Sequence, residues 1–269
     1  MSNRRLSRRV LVALGAAAVL LLPLTSSQAQ PDQSTVPGKT FAAYEYWWYP
    51  IDFVDHFDDP LNTRRWEKEG DGIAKTQHGM LTLESTDAGD IGVTLRGHDR
   101  ESGRWEIRLR GRRFKGETGN TDYTVAAELV PARGLDYNCG ARNIGFANFH
   151  PGVDSAARFH IRNLPNHQFT SVKRRMNLSD DYWHTYAVQV TPKRIAWFTD
   201  GVARAVENRP EALSGIKLAL RLQLQAVEGE TMNRSRLQVD TVRYFTLKTP
   251  SKKPVRGTLP TQGTYADAC

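Results

Sequence analysis

From Phe53 onward the chain is a series of short runs in which apolar and polar residues alternate, separated by Gly, Pro, Asp and Asn. Period two places successive side chains on opposite faces of a strand, so each run predicts a half-buried β-strand. Such runs occupy 79–84, 92–96, 104–109, 123–130, 142–149, 158–162, 184–190, 195–199, 218–225 and 237–245. Many strands at short spacing with turn residues between them predict a sandwich or barrel and exclude a βαβ protein. Helix is nearly absent from the pattern; Arg209 to Gly215 predicts one short turn, and no internal repeat occurs.

The pattern differs at both ends. A basic start (Arg4, Arg5, Arg8, Arg9) leads into an apolar run from Val10 to Leu24 and then Ser27-Gln28-Ala29. That order predicts a cleaved signal peptide over 1–29 and a secreted protein. The run contains Pro23 and is too short for a membrane span, and Ser7-Arg8-Arg9-Val10-Leu11 resembles a twin-arginine export signal. Residues 30–43 are polar and aperiodic and read as a flexible leader. Tyr44 to Tyr49 holds five aromatics in six positions, either an edge segment packed on the core or a sugar-stacking platform. The main domain then runs over 44–248, and 249–269 reads as an extended strap ending in Cys269.

Composition narrows the function. The 269 residues suffice for one large core, and the formal charge of +8 falls to +4 once the four leader arginines are removed. So modest a balance, without a basic run interleaved with aromatics, argues against a nucleic-acid partner. Cys139 and Cys269 are the two cysteines, and in an exported chain they are expected to pair. Closing that loop would contribute about 5 kcal/mol in the chain-entropy model. No Cys or His cluster has metal-ligand spacing, so neither metal nor cofactor is expected. A monomer is expected.

Several runs, taken in order, resemble glycoside hydrolase family 16, the laminarinase and lichenase family. They are Phe53-Val54-Asp55-His56-Phe57 with Leu61 and Trp66, then Gly79 to Leu83, Gly103 to Arg108, Trp183 to Val188 through Trp197 to Gly201, and Val239 to Tyr244. The likeness covers about residues 50 to 247. It implies a concanavalin A-like jelly roll, a β-sandwich of two antiparallel sheets with a concave groove. Fold alone does not settle function.

The family's catalytic strand reads Glu-x-Asp-x-x-Glu, with two carboxylates about 5 Å apart for a retaining mechanism. A local bulge returns the last residue of that motif to the face of the first two. The matching positions here are Asn143, Gly145 and Asn148. An amide cannot ionise near neutral pH, so it is neither nucleophile nor proton shuttle.

Strand parity selects the other groove candidates. With Val125, Ala127 and Leu129 on one face, Glu128 lies opposite them, where the resemblance implies a cleft tryptophan. The same parity selects Arg158, His160 and Arg162, and Arg221, Gln223 and Gln225. Catalytic candidates are Glu128 and His160; substrate-binding candidates are Glu128, Asn143, Asn148, Arg158, His160, Arg221 and Gln223.

Alternating polar residues are also what any solvated sheet face shows, and a lone histidine is often structural. Four functions remain open. One is a carbohydrate-binding protein that holds a polysaccharide or oligosaccharide; a second is a hydrolase working through Glu128. A third is a polysaccharide lyase using the arginines, His160 and Tyr123, and the last is an envelope interaction module without sugar affinity.

Overall fold

The computed structural model describes residues 41–265, apart from 86–88, 115–118, 134–141 and 180. The expected signal peptide, the leader as far as residue 40, and both cysteines of the expected Cys139–Cys269 pair lie outside the described residues.

The alternating runs form two eight-stranded antiparallel sheets packed face to face. The front sheet has the order β16 (Thr261–Thr264), β10 (His167–Arg174), β9 (Ala156–Asn163), β8 (Asn143–Phe149), β7 (Thr124–Pro131), β14 (Leu218–Gln225), β5 (Ile91–Leu95), β2 (Trp66–Gly70). The back sheet has the order β13 (Val202–Glu207), β12 (Arg194–Thr199), β11 (His184–Thr191), β6 (Gly103–Arg113), β15 (Ser235–Phe245), β4 (Leu81–Ser85), β3 (Ile73–Thr76), with β1 (Ile51–Asp55) also paired to β15. This is a sandwich, as the pattern predicts, and the jelly roll that the resemblance implies.

Parity decides what each sheet buries. Val125, Ala127, Leu129, Ile144, Phe159, Ile161, Leu220, Leu222 and Leu224 of the front sheet meet Leu81, Leu83, Ile107, Leu109, Val188, Trp197, Leu237 and Val239 of the back sheet in one core. Each large apolar side chain so buried contributes about 1.5–3 kcal/mol. Trp197 brings a polar N–H into this core, and its Nε1 donates to the Gly145 carbonyl of the opposite sheet at 3.1 Å. The indole thus satisfies its donor and props the centre of β8 from behind.

A second, smaller cluster lies on the outer face of the back sheet, where a short helix, α1 (Ala42–Tyr46), packs on Ala187, Ala196, Phe198 and Phe245. This corrects two expectations. Ala42 and Ala43, assigned to a flexible leader, are buried in the helix because their small side chains let its backbone approach the sheet. Tyr44 to Tyr49 is not an edge segment: the helix ends at Trp47 in the left-handed region (φ 59°), and this turn sends Trp48 into the cluster against Phe198. Trp47 and Tyr49 remain about half exposed.

The segment after β15 crosses between the sheets. Arg104 binds the carbonyls of Thr246 and Thr249, Trp48 donates to Ser251, and Thr258 exchanges backbone bonds with Arg204 and Val206 beside β13. Then β16 adds itself to the free edge of β10, and Tyr265 hydrogen-bonds the Asn163 and Asn166 carbonyls. The strap closes one side of the sandwich and extends the front sheet at its edge. Among the described residues no helix is long and apolar enough to cross a membrane.

Candidate functional site

The outer face of the front sheet collects the polar halves of β7, β8, β9 and β14. Pairing brings His160, Gly145, Glu128, Arg221 and Thr94 into one transverse row across five strands. The row depends on a bulge in β8. On the β7 side Ala127 faces Ala147 and Glu128 faces Gly145, so one extra residue is accommodated between them. Phe146 and Ala147 both point into the core. Asn148 therefore returns to the face of Asn143 and Gly145.

Glu128 is the centre of the row and almost wholly buried. One carboxylate oxygen accepts from Arg221 Nη2 at 3.1 Å; the other lies 3.6 Å from His160 Nε2. Asn143 donates its Nδ2 proton to His160 Nε2 at 3.3 Å, which requires the ring nitrogen to be unprotonated. Burial pushes the His160 pKa down and the Arg162 charge adds to this, outweighing the opposite pull of Glu128. His160 is therefore a neutral acceptor.

Gly145 explains why the ring lies where it does. A Cβ on this residue would stand 2.3 Å from His160 Cε1 and 2.5 Å from Nδ1. The imidazole occupies the space that any side chain at 145 would need, so Gly145 and His160 are a matched pair. The middle carboxylate position of the resembled strand is not merely empty; another side chain fills it.

On either side of this pair, the Asn143 and Asn148 amides each hold a buried Oδ1 with no hydrogen-bond partner. Two orphaned acceptors 5 positions apart on one strand face are costly unless a donor arrives from outside the chain.

The remaining candidates are spread outward. Gln223 donates to Asp90 at 3.0 Å, and Gln225 donates to Gln223. Arg158, opposite Asn148, is half exposed at the rim and bound to Asp154 at 2.9 Å. Arg162, opposite Asn143, stacks over Tyr265 of the strap. Tyr123 does not join them: it is buried in the core with its hydroxyl on Ser85 and the Gly89 carbonyl. Its expected place beside His160 is therefore corrected.

Three participants escaped the sequence reading. Asp90 orients Gln223, while Glu69 on β2 accepts from Thr94 at 2.9 Å beside Arg221. Asp90 stands immediately before β5 and Glu69 in the charged run Trp66-Glu67-Lys68-Glu69, where no apolar alternation marks a face. Among the described residues no group of three or more His, Cys, Asp or Glu could hold a metal ion.

Chemically, the row offers hydrogen-bond acceptors and donors for hydroxyl groups. It does not offer two free carboxylates about 5 Å apart. Glu128 is engaged by Arg221, and Glu69 and Asp90 are engaged by Thr94 and Gln223.

No protein-family model matches the sequence, and no curated protein matches it. Solved structures do match the fold. A laminarinase from Flavobacterium sp. UMI-01 aligns over 73% of this chain and 100% of its own, at 13% identity and a TM-score of 0.58. The endo-1,3-β-glucanase catalytic domain of Thermotoga petrophila RKU-1 aligns over 75% and 99%, at 14% identity and 0.59. An endo-β-galactosidase from Clostridium perfringens aligns over 76% and 64%, at 15% identity and 0.60. Another match, the endo-β-1,3(4)-glucanase SCLam, is a family 16 enzyme. The fold is the jelly roll of family 16 glycoside hydrolases.

Proposed function

We propose that this protein is a secreted carbohydrate-binding protein that holds a polysaccharide along the outer face of the front sheet and does not hydrolyse it. The observation that carries the reading is the state of β8. Its bulge aligns Asn143, Gly145 and Asn148 as a catalytic strand of this fold would align three carboxylates, yet two positions are amides with orphaned acceptors. The third lies under the His160 ring. A surface that keeps the geometry of a sugar site and lacks its acid–base groups is suited to binding. β-Linked glucans and galactans are the glycans to try first, since the structural neighbours are named as enzymes acting on such chains.

Hydrolysis through Glu128 has little support, because the carboxylate is tied to Arg221 and has no second free carboxylate across from it. A lyase loses its tyrosine, since the Tyr123 hydroxyl is spent in the core. The test is affinity electrophoresis of the secreted chain in laminarin, lichenan and agarose gels, with a reducing-sugar assay at high protein concentration. Retardation in at least one gel without sugar release is expected, and Asn143→Leu with Asn148→Leu should abolish it. Release of reducing ends would overturn the reading in favour of an enzyme. No retardation by any glycan would overturn it in favour of an envelope interaction module.

A further inference from the structure

The outer face of the back sheet is divided in two. Under α1, Arg104 and Arg243 are consumed by the chain itself: Arg104 binds strap carbonyls, and Arg243 pairs with the buried Glu106 at 2.7 Å. Beyond α1 the same strand parity continues, and β6 presents Arg108, Arg110 and Arg112 in succession beside Arg236 of β15. Arg234, just before β15, joins them.

Among the described residues this second half gathers five guanidinium groups. Asp240 holds Arg108 at 2.9 Å, and Glu84 holds Arg234. Asp181 alone serves three guanidinium groups: Arg236 at 2.8 Å, Arg112 at 3.0 Å and Arg110 at 3.6 Å. Arg110 is also held by Gln238 Oε1 through Nε and Nη2 at 3.0 and 2.8 Å, whereas Arg112 and Arg236 each give Asp181 one hydrogen bond and keep a buried Nε without a partner. The guanidinium groups are also held in place. Arg108 and Arg110 stack on Trp183 at 4.6 and 4.5 Å, and Arg112, Arg234 and Arg236 surround Phe114. Stacked in this way, arginine loses less freedom on binding an oxyanion.

We propose that this half of the back sheet is a second binding surface, independent of the groove, for a polyanionic glycan whose sulfate or carboxylate groups take the guanidinium donors. Asp181 is the chain's own anion in that cradle and competes with the ligand. Nucleic acid fits less well: the Trp183 and Phe114 rings are covered by guanidinium groups and give a base nothing to stack on. The surface is also a sheet face, and among the described residues no helix projects from it to enter a groove.

The experiment is affinity electrophoresis of the full chain in dextran sulfate and in polygalacturonate at about 50 mM salt, repeated at about 500 mM. Retardation by one or both polyanions, lost at high salt, is expected; whichever gel retards names the sulfate or the carboxylate as ligand. Arg112→Gln with Arg236→Gln should weaken binding at least about tenfold, while Asp181→Asn should strengthen it. Asn143→Leu in the groove should leave it unchanged, which separates failure here from failure of the groove reading. Should the arginine variant not fold, Asp181→Asn decides alone: unchanged or weaker binding overturns the proposal. So does absence of retardation in both gels, or equal binding to an oligothymidylate or to phosphatidylserine vesicles.

Discussion

Two glutamate–arginine pairs lie on the two outer faces of this sandwich, and they have different fates. Glu106 faces Arg243 across β6 and β15, and Glu128 faces Arg221 across β7 and β14. Both carboxylates are almost completely buried, and the closest contacts are 2.7 and 3.1 Å. The back pair is finished by the chain. Glu106 also accepts the Ala43 N–H from α1, and Arg243 lies under Phe41 at 3.9 Å and beside Tyr44. The front pair is surrounded by side chains that still lack partners, the Asn143 and Asn148 acceptors. The same cross-strand chemistry thus serves once to dock α1 and once to build a polar face that no other element of the described residues covers.

The largest expected effect is on the sealed pair. Glu106→Gln leaves the Arg243 charge buried and uncompensated, which costs about 3–5 kcal/mol. For a domain of this size that lowers Tm by about 10 °C, readable by calorimetry. A loss as small as that of an exposed pair would mean that α1 does not seal Glu106, and the contrast between the two faces would fail.

Next comes Gly145→Asp, which restores a carboxylate at the position that the His160 ring occupies. The new Cβ would overlap the imidazole, so a destabilisation of about 2–3 kcal/mol is expected from overpacking. In the double variant Gly145→Asp with His160→Ala most of that cost should vanish. Urea denaturation of the four proteins gives the coupling, expected at 1 kcal/mol or more by the usual range, about 0.5–3, for touching residues. Additive costs would show that Gly145 and His160 are not a matched pair.

Glu128→Gln should be milder. Arg221 keeps an amide oxygen to bond and is partly exposed, so about 1.5–2 kcal/mol is expected, the low end of the range for a hydrogen bond to a charged group. The glycan-gel retardation should change more than the stability does. A loss matching that of Glu106→Gln would place both pairs in the same structural role.

How far the sequence reveals these two faces depends on what marks them. Period two exposes the sheet strands, and β7, β8, β9 and β14 lie where alternation places them, with Glu128, Asn143, His160 and Arg221 on one face. The bulge is visible only through the family resemblance, because Phe146 and Ala147 read simply as two apolar neighbours. Strands β2 and β10 escape notice because charged and hydroxyl residues occupy much of their length. The helix α1 is hidden for another reason: five residues are too few for a period, and tertiary packing of Ala42, Ala43 and Tyr46 forms it. Contacts between side chains distant in sequence, such as His160 over Gly145 or Gln223 on Asp90, leave no local trace at all.

The smallest effect contrasts the two sheets through their histidines. On the back sheet, His184 sits between the Asp200 carboxylate at 2.8 Å and the Asn177 carbonyl at 2.9 Å, so both ring nitrogens meet acceptors. Burial opposes its protonation, but the Asp200 hydrogen bond and charge and the Asn177 carbonyl outweigh it and raise its pKa. A raised folded value contributes stability that is fully present below the unfolded value of about 6.5 and is lost as pH rises through the folded one. His160 is shifted down, so the folded protein refuses a proton that the unfolded chain accepts, and stability falls as pH drops below about 6.5. Melting curves from pH 5 to 8 should therefore diverge in opposite directions. The advantage of the native chain over His184→Asn should grow toward acid pH, and its advantage over His160→Asn should shrink. If both differences grow toward acid pH, His160 takes up a proton in the folded protein and cannot be the neutral acceptor of the Asn143 amide on which the groove geometry depends.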